Sequence, residues 1–152
     1  MQDFISGIGY AKRGGEHMNI QKFTQKSVQA VNELEKIAME YGNQEIEQEH
    51  LLYSLLTQEE SLIARLISKM NIDDTLFKEQ VEQALNKRVK VSGGQPYIGQ
   101  YLNKALISAE DEAKRMGDEY VSVEHLFLSL LDNPSPSMKD LFRESGITKD
   151  RF

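Results

Sequence analysis

The residues best equipped for chemistry are two glutamate–histidine pairs, Glu49-His50 and Glu124-His125. A carboxylate beside an imidazole suggests an acid–base couple or part of a metal site. Neighbouring residues on a helix point about 100° apart, so neither pair converges on one atom. Two histidines are also too few ligands unless carboxylates complete the set. The third histidine, His17, stands in the N-terminal segment. A structural role fits better. Each glutamate falls in the first turn of a helix, where it suits the dipole, and each histidine packs or hydrogen-bonds near the centre of its unit.

Other catalytic patterns are missing. No P-loop, G-x-G-x-x-G or H-E-x-x-H motif occurs. Gly7-Ile8-Gly9 is too brief to cradle a phosphate. Without cysteine there is no disulfide, thiolate zinc site or cysteine nucleophile. With 18 basic and 24 acidic residues the net charge is −6, which argues against nucleic acid and anionic lipid as partners. No apolar run approaches the 20 or so residues of a membrane span, and the first residues lack a signal-peptide pattern. These features point to a cytoplasmic domain.

The elements that carry the two pairs are copies of each other. Shifted by 75 residues, Gly42 to Leu56 lies over Gly117 to Leu131 with 7 of 15 positions identical, and 13 of 50 match over the longer stretch from Phe23. In the second copy Leu102, Ala105, Leu106, Ala109, Ala113 and Met116 line one helical face; Val31, Leu34, Ala38 and Tyr41 do so in the first. Both helices are predicted to end at a glycine, Gly42 and Gly117. A second helix follows through Leu51–Leu56 and Leu126–Leu131, with Ser122 as N-cap of the later one. A third is expected near residues 61–70 and 137–145, and a fourth near 74–87 capped by Asp73, Asp74 or Thr75. Its partner would start near Thr148, so the last helix reads as truncated. Gly93-Gly94 and Pro96 mark a linker.

The predicted architecture is all-α: repeat one over residues 23–88, linker 89–97, repeat two 98–152. The two four-helix repeats pack into one globule about a pseudo-twofold. The acidic runs Glu45-Ile-Glu-Gln-Glu49 and Glu110-Asp-Glu112 read as solvated faces, and the apolar stripes as core. A groove between the copies that exposes part of a stripe would mark a binding site, so an interaction module is favoured over an enzyme. Residues 1–17 read as disordered or as a translated leader. Arg13-Gly14-Gly15-Glu16 can be encoded by a purine-rich ribosome-binding sequence just before Met18.

Phe23-Thr24-Gln-Lys, a helix ending in glycine, and then Ile-Glu-x-Glu-His-Leu-Leu-x-x-Leu-Leu resemble the N-terminal repeat domain of the Clp ATPases. So does Gly117-Asp-Glu-Tyr-Val-Ser-Val-Glu-His-Leu. Ala84-Leu85-Asn86 with Lys90-Val-Ser-Gly-Gly-Gln95 is similar to the ClpB disaggregase branch. The resemblance spans Met18 to Phe152 and implies a mobile helical domain that engages exposed apolar segments of unfolded or aggregated polypeptides. The whole protein would be hexameric and work with the DnaK system. ATP and magnesium would belong to ATPase modules outside this chain, leaving it no cofactor, no enzymatic activity and a monomeric state of its own.

By the same resemblance Thr24, Asp118 and Glu124 handle substrate, and Leu102 and Leu106 line an apolar groove. For each a structural role competes: a cap for Thr24, a turn for Asp118, the helix dipole for Glu124, core for the leucines. Ser108, Glu112 and His125 stand where some relatives place leucine, which implies a weaker or more polar groove. The alternative implied is a ClpC-like adaptor or phospho-arginine receptor, with Glu49 and Glu124 meeting the modified guanidinium.

Overall fold

The computed structural model describes residues 20–151, together with two short strands, β1 (Lys12–Arg13) and β2 (Glu16–His17), paired antiparallel. Most of the 1–17 segment read as leader lies outside the described residues.

The first apolar stripe folds as two helices, α1 (Gln25–Asn32) and α2 (Leu34–Tyr41), interrupted at Glu33. Thr24 starts α1 by accepting from the Ser27 amide, and Gly42 stops α2 in the left-handed conformation at φ 71°. Then come α3 (Gln48–Thr57), α4 (Leu62–Lys69) and α5 (Asp74–Asn86). Ser61 caps α4, and Asp73 caps α5 by accepting from the Thr75 and Leu76 amides. The second copy supplies α6 (Gln100–Arg115), α7 (Val123–Asp132) and α8 (Pro136–Ser145). A 3-10 turn, Lys149–Arg151, stands at the repeat position of the start of α5. Ser122 caps α7 as the sequence predicts, and Ser135 with Pro136 at the first helical position opens α8.

The helices share one core. Leu51, Leu52 and Leu55 of α3 meet Leu126, Phe127 and Leu130 of α7 within the same apolar cluster, all 1% exposed or less. The pseudo-twofold is visible in the backbone. Strand β3 (Glu45–Ile46) pairs in parallel with β4 (Tyr97–Ile98), placing Ile46 opposite Ile98, while Phe23 bridges Val121. Adding 75 turns Phe23 into Ile98 and Ile46 into Val121, so each repeat lends its leading residues to the other's strand. Side chains follow the same rule. Ser54 Oγ donates to the Ala30 carbonyl at 2.7 Å and Ser129 Oγ to that of Ala105 at 2.5 Å.

Two sequence expectations fail here. The run 45–49 is no solvated face: Glu47, Gln48 and Glu49 are 3%, 0% and 2% exposed, because the seam between the repeats closes over them. Glu112 is also buried, paired with Arg115 and with Lys149 of the C-terminal turn. In both places tertiary contact supplies partners that helical periodicity does not reveal.

Candidate functional site

At the seam, buried polar side chains of α3 serve the backbone of the second repeat. The Glu47 carboxylate accepts from the amides of Tyr101 (3.1 Å) and Leu102 (2.8 Å), besides that of Gln48 (3.2 Å). It thereby caps α6, whose own N-cap, Gly99, has no side chain to do so. Burial pushes the Glu47 carboxyl above its ordinary range, and the Tyr101 and Leu102 amides oppose that rise. Gln48 donates to the carbonyls of Tyr101 and Asn133 and accepts from the Ser135 amide.

The two histidines are structural twins. The Glu47 amide donates to His50 Nδ1 at 2.9 Å, and the Ser122 amide to His125 Nδ1 at 2.8 Å. Each imidazole closes a capping box. The far ring nitrogens face Asn43 Oδ1 at 3.0 Å and Asp118 Oδ2 at 2.8 Å. Since Nδ1 accepts in His50, its proton sits on Nε2 and is donated to Asn43. Neither ring is free for catalysis. Among the described residues no group of three histidine, aspartate or glutamate side chains is placed to hold a metal ion.

Around these twin boxes the repeats diverge, and the divergence creates the site. In repeat one the chain after α5 folds over the box. Arg88 donates to Glu45 Oε1 (2.8 Å) and to Glu49 Oε2 (3.1 Å). The Val91 amide donates to the Gly42 carbonyl (2.9 Å), Asn43 Nδ2 to the Val89 carbonyl (3.1 Å), and Lys90 Nζ to the Tyr41 carbonyl (2.6 Å). In repeat two nothing among the described residues covers the equivalent face. It is a depression of about 720 Å³ lined by Met116, Asp118, Tyr120, Glu124 and Leu128 among others. Met116 and Tyr120 are 54% and 53% exposed, so apolar surface stands beside acidic groups.

The residues singled out from the sequence scatter accordingly. Asp118 and Glu124 share the open face; the Asp118 side chain is 47% exposed and Glu124 is exposed. Thr24 is the α1 cap, and its amide bonds to Val121 at the rim of that face. Leu102 and Leu106 are 0% exposed in the core, so they present no surface to a ligand in this conformation. Glu49 and Glu124 occupy separate, twinned faces, and Glu49 already holds the Arg88 guanidinium and the Ser137 hydroxyl. Sequence reasoning missed Arg88, Glu47 and Tyr120. Aligning the repeats position by position would have flagged Tyr120, an aromatic where the first copy has Glu45.

The family of the Clp repeat (R) N-terminal domain matches residues 22–145. The chain belongs to this family. Over 140 residues this Clp repeat domain is 41% identical to the chaperone protein ClpB of Nitratidesulfovibrio vulgaris, covering 88% of the chain and 16% of that protein. It is 38% identical over 140 residues to ClpB of Clostridium tetani, covering 89% and 16%. The chain thus spans about one sixth of the length of these curated relatives and corresponds to their N-terminal domain. Among solved structures it is similar to the Hsp104 N-terminal domain from Candida albicans, with TM-score 0.75 and 21% identity over 86% of this chain and 85% of that one. It is also similar to a ClpV N-domain solved in complex with a VipB peptide, with TM-score 0.69 and 19% identity over 89% and 90%. These last two likenesses concern the fold. No helix among the described residues is long and apolar enough to cross a membrane.

Proposed function

We propose that this Clp repeat domain is the substrate-engaging part of an ATP-dependent disaggregase, and that it holds exposed segments of unfolded or aggregated polypeptide on the open face of repeat two. One observation carries the reading. The two repeats build the same capped face, the described residues cover one and leave the other open, and the open one presents Met116 and Tyr120. Exposed apolar surface bordered by charge is the usual mark of a protein-binding patch. Burying about two apolar side chains gains a few kcal/mol before ordering costs, which sets micromolar or weaker affinity. In a hexamer, six such domains tethered to one motor would gain avidity from that weak contact. The DnaK system, ATP and magnesium would act on the rest of the protein, with this domain contributing no chemistry. A cytoplasmic location suits these partners.

The phospho-arginine alternative is favoured by the Glu49–Arg88 pair, which shows that a glutamate at this repeat position accepts a guanidinium. The phosphoryl group argues the other way. Asp118, Glu119 and Glu124 line the open face with no lysine or arginine among its described lining residues, and the His125 ring nitrogen that faces it is already held by Asp118, so a doubly charged phosphate would be repelled.

Titrating isotope-labelled protein with a permanently unfolded protein, reduced and carboxymethylated lactalbumin, is expected to shift the amides of Met116 to Leu128. Shifts confined to other surfaces, or none at millimolar concentration, would sink the assignment. Free phospho-arginine is expected to leave the same signals in place.

A further inference from the structure

The covered face of repeat one displays, in outline, what the open face of repeat two can take. On repeat one the ligand is a piece of the chain itself, residues 88–91, lying across the Gly42 turn. Two of its contacts have no counterpart in the second copy, Arg88 on Glu45 and the Val89 carbonyl on Asn43, because Tyr120 and Asp118 stand at those places; three others do. A guanidinium meets the glutamate at the second position of the helix, Arg88 on Glu49. A backbone amide meets the glycine carbonyl, Val91 on Gly42. A lysine stem lies over the glycine, Lys90 Cδ reaching 3.6 Å from where a Gly42 Cβ would stand, with its ammonium on the Tyr41 carbonyl and 6.0 Å from the Tyr41 ring centre. The two valines do little of the holding, for Val89 is 80% and Val91 42% exposed.

The groups that receive these three contacts recur in repeat two. Glu124 matches Glu49 at the second position of α7, Gly117 matches Gly42 at φ 73°, and Met116 matches Tyr41. There, nothing lies within 4 Å of where a Gly117 Cβ would stand. Among the described residues neither the Gly117 carbonyl nor the Glu124 carboxylate meets a donor. Substitutions between the copies move the acidic charge rather than add to it: Asp118 and Glu119 replace Asn43 and Gln44, beside the glycine, while Tyr120 and Ser122 replace Glu45 and Glu47.

We infer that the open face of repeat two binds a peptide segment of the form Arg-x-Lys, its arginine on Glu124, its lysine stem over Gly117 and its backbone bonded to the Gly117 carbonyl. This rests on the proposed function above and names the class of segment selected. The cationic pair confers selectivity through charge-assisted hydrogen bonds, and Met116 and Tyr120 take neighbouring apolar side chains of the same segment.

The test uses the chain's own sequence as probe. A synthetic peptide copied from residues 86–94 is titrated into labelled protein, beside a version with Lys87, Arg88 and Lys90 replaced by glutamine. The copied peptide is expected to shift Gly117, Asp118 and Glu124 and to bind at least about fivefold more tightly than the neutral one. Glu124→Gln is expected to erase most of that difference. Glu124 is exposed, so the variant keeps the fold, and circular dichroism verifies it. Equal affinity for both peptides would overturn the Arg-x-Lys assignment while leaving the binding face in place. Shifts confined to Gly42, Asn43 and Gln44, from exchange with the chain's own segment, would overturn it as well. If neither peptide nor the unfolded protein perturbs the Met116 to Leu128 face, the proposed function falls with it.

Discussion

Acidification from pH 6.5 to about 4 is expected to cost the domain about 3 kcal/mol of folding stability through one imidazole, that of His50. The ring is 0% exposed. Burial, and then the positive charge of Arg88, lower its pKa from 6.5 to about 4. The sign follows from proton counts. Between those two values the unfolded chain takes up a proton at His50 and the folded chain does not, so stability falls as pH drops through that window. Below it both states are protonated and this loss levels off. The geometry agrees, for Nδ1 already accepts from the Glu47 amide and a second ring proton would remove that acceptor. Glu47 acts in the opposite sense: its carboxyl is raised by burial, so acidification favours the folded state at that site. His50→Gln separates the two. Glutamine at the third helical position can still accept from the N-cap amide but cannot titrate. Melting curves at several pH values should show the wild type losing roughly 6–12 °C more than the variant on going from pH 7 to 4. Parallel curves would refute the assignment to His50.

Gly99→Ala is expected to destabilise the fold by about 2–3 kcal/mol, a fall of about 5–10 °C in Tm. The backbone is not the reason: Gly99 sits at φ −74° and ψ 164°, where any residue fits. Glycine is required because a Cβ there would collide with the Glu47 carboxylate. Displacing that carboxylate strips the Tyr101 and Leu102 amides of their acceptor at the start of a packed helix. At the twin position Thr24 caps α1 itself, so the second repeat has exchanged a cap of its own for one lent by the first. That exchange ties α3 to α6. Glu47→Ala should cost about as much as Gly99→Ala. Combining Glu47→Ala with Gly99→Thr, which restores the Thr24 arrangement, should recover at least about 1 kcal/mol relative to the sum of the single changes. Strict additivity of those three variants would show that the two positions do not share one site.

Both results concern an asymmetry laid over a symmetric frame. The frame itself is legible from the chain. The 75-residue repeat, the helices, the terminating glycines and the Ser122 cap all follow from local rules, in which apolar spacing sets the face, a hydroxyl or carboxylate starts a helix and a glycine ends it. The paired histidines were also readable as structural, because adjacent helical residues diverge. The break at Glu33 was not legible, since the apolar stripe runs through it without a change of phase.

What the tertiary structure alone decided is which copy of each motif is available. Glu49 and Glu124 have the same local sequence, Glu-His-Leu, yet one is sealed under Arg88 and the other faces water. Periodicity cannot predict that, because the difference comes from a segment 39 residues further along folding back over one repeat. Likewise, the stripe through Leu102 and Leu106 reads equally well as groove or as core. The choice depends on whether the facing repeat closes over it, and it does. The sequence by itself therefore determined the two-copy helical fold and its family, because those rest on contacts within a few residues. Tertiary structure decided which face is open and what charge it carries, because burial depends on partners distant in the chain.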